Sequence, residues 1–327
     1  MVVSVFLFTL PDGSFGSAGQ SWKILDLKKL VSKLEFEVVI KNINEIGTTS
    51  FNDNDILIYT SSENKEIRTF LKNNLFYLKD KIRLIPSYDI LMAHEDKSFQ
   101  EVWKKKEGFG NIIGKSLFDI NDHILPFPKV VKSAQGAGSS GVFLVRKNSD
   151  LKKVEKAFFS KTPKNKLISI QRKIKLNREE YEKYQYRRKA FNLFIEQEFI
   201  PKLKHDFKVL VFGDRYFTLK RSIRKNDFRA SGSGKFEFIV PPQEVLDYAK
   251  NIASILDNPY LSLDIAQSES GCHLIEFQGT NFGPYTLLNA PYFYKCVSGD
   301  WQKTDNSKDL EDNYAHALNQ YMSNIYD

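Results

Sequence analysis

Two groups of residues in this chain have types and spacings that could do chemistry. The first is Lys132 followed by Gln135-Gly-Ala-Gly-Ser-Ser-Gly141. A stretch so poor in side chains lets backbone N–H groups approach an anion closely, and a lysine at its base adds a compact charge suited to a phosphate. Gly136, Gly138 and Gly141 spell G-x-G-x-x-G, but a dinucleotide fingerprint needs those glycines to open a helix. Here β-branched and aromatic residues resume at Val142. A Walker A loop is excluded as well, because no Gly-Lys-Ser/Thr closes the run. The pattern predicts a β-hairpin flap over nucleotide phosphates, with an ordinary glycine-rich hairpin turn as the alternative.

The second group is Asp264, in Leu263-Asp-Ile265, with Glu276 and Gln278, in Leu274-Ile-Glu-Phe-Gln278. Glu276 and Gln278 are two apart in a strand and point to one face. If a hairpin brings Asp264 onto that face, three oxygen donors converge, which suits Mg²⁺ and its habit of bridging to substrate phosphates. The alternative is a pair of unrelated surface carboxylates. Their apolar neighbours Leu261, Leu263, Ile265, Leu274, Ile275 and Phe277 argue against it, since a buried charge needs a counter-charge.

These residues require particular elements to position them. Residues 2–10 form a continuous apolar strand candidate that ends at the turn Pro11-Asp-Gly13. Residues 22–34 carry Ile24, Leu27, Leu30, Val31 and Leu34 at helical spacing. Strands are expected over 36–43, 55–60 and 82–85, with a helix over 63–78 between them. That alternation predicts a small parallel α/β domain, because parallel strands need helical crossovers. Residues 90–103 read as one helix, and the glycine-bearing stretch 107–114 interrupts the chain. The glycine hairpin follows over 129–146, with helices expected over 151–159 and 178–192. From Leu193 the texture becomes β: strands over 194–200, 207–212 and 216–221, a helix over 244–256, then strands over 261–266 and 272–277. The fold class is α+β, divided into residues 1–90, 91–198 and 199–327.

The 327 residues suffice for two or three domains. A net charge of +8 and a pI near 9.1 point to anionic partners. Much of the excess lies between Lys161 and Lys189, where a solvated helix face is weighed against a nucleic-acid surface. Tyr181, Tyr184 and Tyr186 lie among those basic residues and could stack bases, although helical spacing favours packing. Cys272 and Cys296 form no Cys-x-x-Cys, and the five histidines show no ligand spacing, so a structural zinc site is not expected. The opening apolar run reads as a strand and not a signal peptide. No apolar stretch is long enough to cross a bilayer, and a reducing cytoplasm is the expected location.

The order Lys97, Lys132 with Gln135–Gly141, Gln197–Ile200, Asp206-Phe-Lys208, Lys220-Arg221, Asp227-Phe-Arg229, Leu263-Asp264 and Glu276-Phe-Gln278 resembles the ATP-grasp superfamily over nearly the whole chain. The resemblance is to its glutathione-synthetase-like, carboxylate–amine ligase branch. It implies an ATP-grasp body behind an N-terminal parallel α/β domain, with residues 91–198 as the lid and 199–327 as the metal-binding part. It implies Lys97 and Lys132 as phosphate-binding lysines, with Gly136, Gly138, Ser139, Ser140 and Gly141 as the flap. Glu198, Phe199 and Ile200 would form the adenine hinge. Asp206 would meet the ribose, with Lys208 beside it among the nucleotide contacts. Lys220 and Arg221 would face the phosphates or a developing acyl phosphate, and Arg229 the substrate carboxylate. Asp264, Glu276 and Gln278 would hold two Mg²⁺ ions. The family ends this motif in Glu-x-Asn, whereas this chain has Gln278, one methylene longer, with Asn281 as an alternative oxygen donor.

The resemblance implies an ATP-dependent ligase that joins a small-molecule or sugar-linked carboxylate to an amine through an acyl phosphate, in surface-polysaccharide or natural-product modification. A homodimer is consistent with it, and neither a membrane span nor nucleic acid is expected. One alternative is a small-molecule kinase on the same fold, with His205 or His273 as base. Another is a non-catalytic polyanion-binding module.

Overall fold

The computed structural model describes residues 3–17, 24–109, 112–119, 122–136, 141–158, 175, 177–187, 193–224, 227–230 and 233–326. The chain divides into two compact units, Met1–Asn111 with Ile200–Asp327, and Ile112–Phe199.

The first unit opens with β1 (Val5–Thr9), β2 (Val39–Asn42), β3 (Ile56–Tyr59) and β4 (Arg83–Ile85), parallel in the order β2-β1-β3-β4. Both faces of this sheet are covered, as parallel sheets require. Phe6, Phe8, Leu57 and Tyr59 pack with Leu71 and Leu75 of α2 (Lys65–Leu78), while Val5, Leu7, Ile56 and Ile58 face the opposite core. The helix expected over 22–34 is described only as α1 (Leu27–Val31), because the Asp26 carboxylate accepts from the N–H groups of Lys28 and Lys29 and starts the helix there.

The single helix expected over 90–103 is two, α3 (Tyr88–Ala93) and α4 (Lys97–Lys106). Asp96 accepts from the Phe99 N–H as an N-cap, and Glu95 lies in the left-handed region at φ 54°. An aspartate that bonds the backbone ahead of it ends one helix and begins another. The break puts Lys97 at the first position of a new helix.

The remainder of this unit is a larger sheet. It comprises β9 (His205–Phe212), β10 (Arg215–Ser222), β12 (Tyr260–Ser268), β13 (Gly271–Gln278), β14 (Tyr292–Val297) and β15 (Asp300–Asp305) in the order β13-β12-β9-β10-β14-β15, with β11 (Phe236–Glu237) paired to β10. On one face α7 (Gln243–Leu256) buries Val245, Leu246, Ala249 and Ile252 against Val209, Leu261 and Leu263. On the other, α9 (Leu310–Tyr326) buries Leu310, Tyr314 and Leu318 against Phe212, Phe217 and Tyr260. A short α8 (Tyr285–Asn289) precedes β14.

In the second unit, β5 (Gly114–Leu117), β6 (Lys129–Ser133), β7 (Val142–Val145) and β8 (Phe194–Glu198) form an antiparallel sheet in the order β5-β8-β6-β7. Val131, Val145 and Phe194 pack with Val154 of α5 (Asn148–Phe158). The helix expected over 178–192 is α6 (Arg178–Arg187).

Candidate active site

In the first unit the site begins at an irregularity in the β12–β13 pairing. Asp264 lies opposite Glu276 and Ile265 opposite Leu274, so Ile275 is an extra residue in β13. A strict alternation would place Cys272 and Leu274 on the same face as Glu276. The bulge breaks that phase. Cys272, Leu274 and Phe277 enter the core, while Glu276 and Gln278 turn to the face that carries Asp264.

Two carboxylates opposed across strands repel each other and need cations nearby. Asp264 has two. Its Oδ1 accepts from Lys208 Nζ at 3.1 Å and its Oδ2 from Arg221 Nη2 at 2.9 Å. Arg221 in turn grips Asp206, Nε to Oδ1 at 2.7 Å and Nη2 to Oδ2 at 2.8 Å. The strand register explains this convergence, since Arg221 pairs with Asp206 and Lys208 with Asp264 on neighbouring strands. Burial pushes the Asp264 carboxyl up, but Arg221 and Lys208 outweigh it and hold the group below the ordinary carboxylate range. At Asp206 burial prevails and raises the carboxyl.

Glu276 is neutralised from the other side. Lys97 Nζ lies 3.3 Å from its Oε1. Gln100, one turn further along α4, sets that contact by meeting the backbone of β13: its Nε2 donates to the Phe277 carbonyl at 2.9 Å and its Oε1 accepts from the Phe277 N–H at 3.2 Å. Gln278 Nε2 lies 3.4 Å from Glu276 Oε1 and 3.3 Å from Glu95 Oε1, and its Oε1 lies 2.8 Å from Nδ1 of His94. Burial lowers the His94 pKa to about 4, so the ring is neutral at physiological pH. Burial first, and then Glu276, raise the Glu95 carboxyl against the pull of Lys97.

Sequence reasoning placed Asp264, Glu276, Gln278 and Lys97 as site residues, and the structure brings all four together. It missed Glu95, His94 and Gln100, which lay unseen in a helix assumed continuous; the Asp96 cap was the available signal. Two expectations fit the geometry poorly. Asp206 is 4% exposed, and both of its oxygens accept from Arg221, which leaves neither turned to a ribose in this arrangement. Arg221 is itself buried between two acids and pairs with both Asp206 and Asp264.

Lys220 pairs with Glu237 at 3.1 Å, and Arg229 with Asp227 through Nε and Nη2. His205 stands edge-on to Phe207, and His273 Nε2 lies 2.8 Å from Ser268 Oγ. Cys272 is buried, and its thiol is pushed up to about 12 by that burial and by Glu244. Asn281, the alternative oxygen donor, is 3% exposed.

The carboxylate oxygens of Asp264 and Glu276, with cations already drawn to both, fit a divalent metal bound together with phosphate, while Gln278 here turns its NH₂ and not its oxygen toward Glu276. Among the described residues no three His, Cys, Asp or Glu side chains are grouped to hold a metal by themselves. The donor set therefore depends on the amide of Gln278 or on waters and phosphate oxygens.

In the second unit the glycine segment joins β6 to β7. Ser133 N–H donates to the Gly141 carbonyl at 2.9 Å to close the hairpin, and Gly136 adopts φ 104°. Gly138, Ser139 and Ser140 lie outside the described residues. Lys132 Nζ donates to Gln197 Oε1 at 2.6 Å. Glu198 Oε2 accepts from the Ile113 N–H at 3.0 Å, and Glu198 N–H donates to the Ile113 carbonyl at 3.0 Å. Behind them Lys129 and Glu196, both fully buried, pair at 2.5 Å. Phe199 ends this unit and Ile200 begins the next stretch of the first.

No protein-family model matches the sequence, and no curated protein matches it. Solved structures do match. D-cycloserine synthetase superposes with a TM-score of 0.55 at 12% identity, over 97% of this chain and 99% of that one. An ADP complex of N5-carboxyaminoimidazole ribonucleotide synthetase gives 0.52 at 11% identity, over 89% and 74%. An ATP complex of D-alanine–D-alanine ligase from Bacillus anthracis gives 0.50 at 12%, over 99% and 100%. With its parallel front sheet, its glycine hairpin and its large antiparallel sheet bearing opposed carboxylates, the chain has the ATP-grasp fold.

Proposed function

We propose that this protein is an ATP-dependent ligase that joins a carboxylate to an amine. The observation that carries the reading is the opposed pair Asp264 and Glu276 at the β12–β13 bulge, each matched by a lysine. Such a site gathers negative oxygens that a protein would otherwise keep apart, and holds them with exchangeable cations. The fold agrees with the reading, because the superposed D-cycloserine synthetase and D-alanine–D-alanine ligase are by name a synthetase and a ligase.

In the proposed reaction the γ-phosphoryl group of ATP passes to a carboxylate oxygen of the acid, giving an acyl phosphate and ADP. The amine nitrogen then attacks the carbonyl carbon, loses its proton to solvent, and phosphate departs with the bonding electrons. Magnesium, when bound by Asp264, Glu276 and Gln278, would neutralise charge on the transferring phosphoryl group. Lys97 leaves Glu276 to meet phosphate, and Arg229 stabilises the oxyanion of the tetrahedral intermediate. Arg221 fixes the two aspartates and touches no substrate. Within the second unit, Lys132 and the Gly136–Gly141 loop are the phosphate-binding candidates, and Glu198 to Ile200 the adenine-binding ones. A negatively charged or sugar-linked acid fits the net charge of +8, and a reducing cytoplasm fits the use of ATP.

The test is product mass after incubation with ATP, Mg²⁺ and a panel of amino acids, sugar acids and amines. An amide with ADP and free phosphate is expected. A phosphorylated acceptor with ADP alone would make the protein a kinase. If Lys97→Ala and Glu276→Ala leave nucleotide affinity and turnover unchanged, the site is wrongly assigned.

A further inference from the structure

We propose that Arg68 receives a second carboxylate of a substrate, apart from the group that takes the phosphoryl, on the free Nε–Nη2 edge of its guanidinium. The proposal rests on the ligase reading above, and it gives that ligase an acid or an amine that carries a further carboxylate.

Arg68 lies in α2 and is 8% exposed. Its Nη1 donates to the Ser62 carbonyl at 3.2 Å and to the Glu63 carbonyl, which holds the guanidinium against the corner between β3 and α2. Its Nε and Nη2 meet no partner among the described residues, and neither belongs to the polar atoms sealed from solvent. These two nitrogens form a fork that fits both oxygens of a carboxylate. Arg221 grips Asp206 with the same edge, Nε to Oδ1 and Nη2 to Oδ2.

The local charge makes the same demand. Lys72, one turn further along α2, is half-buried and donates from Nζ to the Met92 carbonyl at 3.2 Å. Like charges four residues apart on a helix repel each other. Burial lowers the Lys72 ammonium, Asp96 opposes that, and Arg68 lowers it further. Among the described residues no carboxylate lies within ion-pair distance of either cation. A buried charge without a counter-charge is costly, and an anion from solution supplies one.

The place in the fold identifies the anion. The parallel sheet runs β2-β1-β3-β4, so the connections change direction between β1 and β3, and ligands of such sheets lie beyond the strand C-termini at that point. Ser62 and Glu63 follow β3 there. Thr60 Oγ1 donates to the Thr280 carbonyl at 3.2 Å, which ties this corner to the stretch just after Gln278. Arg68 pairs with neither Asp264 nor Glu276, whose cations are Lys208, Arg221 and Lys97. The carboxylate that accepts the phosphoryl group lies at those acids, so the one held by Arg68 is another. No bond is made or broken at Arg68; it binds and orients.

The first experiment is ¹H–¹⁵N NMR of the arginine Nε–H groups of the full-length protein, with the Arg68 signal assigned by its loss in Arg68→Lys. Succinate should move that signal saturably and the uncharged succinamide should not, while the Arg221 signal, already held by Asp206, stays in place. No response to succinate, or a response to inorganic phosphate alone, overturns the proposal. The second experiment measures ADP release with amines that differ by one carboxylate, glutamate against 4-aminobutyrate and aspartate against β-alanine, and with the acids succinate against propionate. The member with the extra carboxylate should have the lower KM, by about 10- to 100-fold for a bidentate charged contact. Arg68→Lys keeps the charge and loses the fork, so it should collapse this preference through KM more than through kcat. Arg68→Gln, whose amide can still donate to the corner carbonyls, should do the same, and circular dichroism checks that both variants fold. A preference that survives in both variants overturns the role of Arg68 and leaves the ligase reading standing. If calorimetry shows no binding of ATP with Mg²⁺ while succinate still moves the Arg68 signal, the ligase reading falls and the carboxylate site does not.

Discussion

Removal of the Arg221 guanidinium should separate its structural work from any direct part in catalysis. In Arg221→Met the two bonds to Asp206 and the one to Asp264 vanish. Asp264 keeps Lys208 at 3.1 Å, whereas Asp206, 4% exposed, loses the one guanidinium that meets both of its oxygens. Breaking a buried ion pair by removal of one member costs about 3–5 kcal/mol, because the other charge stays buried without compensation. For a body of this size each kcal/mol lowers Tm by about 2–4 °C, so a fall of roughly 6–20 °C is expected. Thermal unfolding followed by circular dichroism at pH 7.5 measures it. The double variant Arg221→Met/Asp206→Leu should recover more than half of the loss, since it leaves no bare charge at that position. A single variant that melts within about 2 °C of the parent, below what one kcal/mol would produce, would refute the view of Arg221 as a buried clamp.

Other outcomes follow from the same reasoning. The His94 pKa of about 4 lies below its unfolded value of 6.5, so the unfolded chain binds more protons between those values and stability rises with pH across that window, falling as the solution is acidified. The His94 contribution, about 3 kcal/mol at 1.36 kcal/mol per unit, is fully present above pH 6.5 and lost by pH 4; urea unfolding should show a shallower slope in His94→Gln. Glu196→Gln removes the partner of buried Lys129 and should cost about 3–5 kcal/mol. Hydrogen exchange should then quicken at the Ile124 and Leu125 amides, which Glu196 Oε1 now accepts. A methyl added at Gly279 would lie 2.7 Å from Ile90 Cγ2 and 3.0 Å from Asn258 Nδ2. Gly279→Ala should therefore lose about 1–3 kcal/mol and weaken Mg²⁺-dependent nucleotide binding through the adjacent Gln278, as calorimetry would show.

Much of the candidate site was legible because its chemistry is local. Lys132 before a glycine run, and Glu276 two residues from Gln278, are patterns whose meaning depends on near neighbours. The expectation for β12 and β13 erred by only a few residues at their ends, since apolar alternation between turn residues marks such strands. The helix break at Glu95 was hidden because Leu91 and Phe99, eight apart, keep a helical spacing across it, and apolar period outweighed the single polar cap at Asp96. β15, with Asp-Trp-Gln-Lys-Thr-Asp, carries almost no apolar face of its own; only pairing with β14 makes it a strand. The long helix α9 lay in a tail assigned no element, although it supplies Tyr314 and Leu318 to the core.

The sequence by itself determined which atoms could meet a phosphate or a metal, since donor type and parity along a strand are properties of the chain. It determined the glycine hairpin, because residues that resume as strand after Gly141 cannot open a helix. Tertiary structure alone decided the phase and the charge state of the site. The unpaired Ile275 shifts β13 so that Leu274 faces the core while Glu276 faces Asp264. Register across three strands gives Arg221 to the two aspartates, and the helix break delivers Lys97 to Glu276. Each of these depends on residues far apart in the chain, whose interaction energies appear only once the backbone has closed the distance between them.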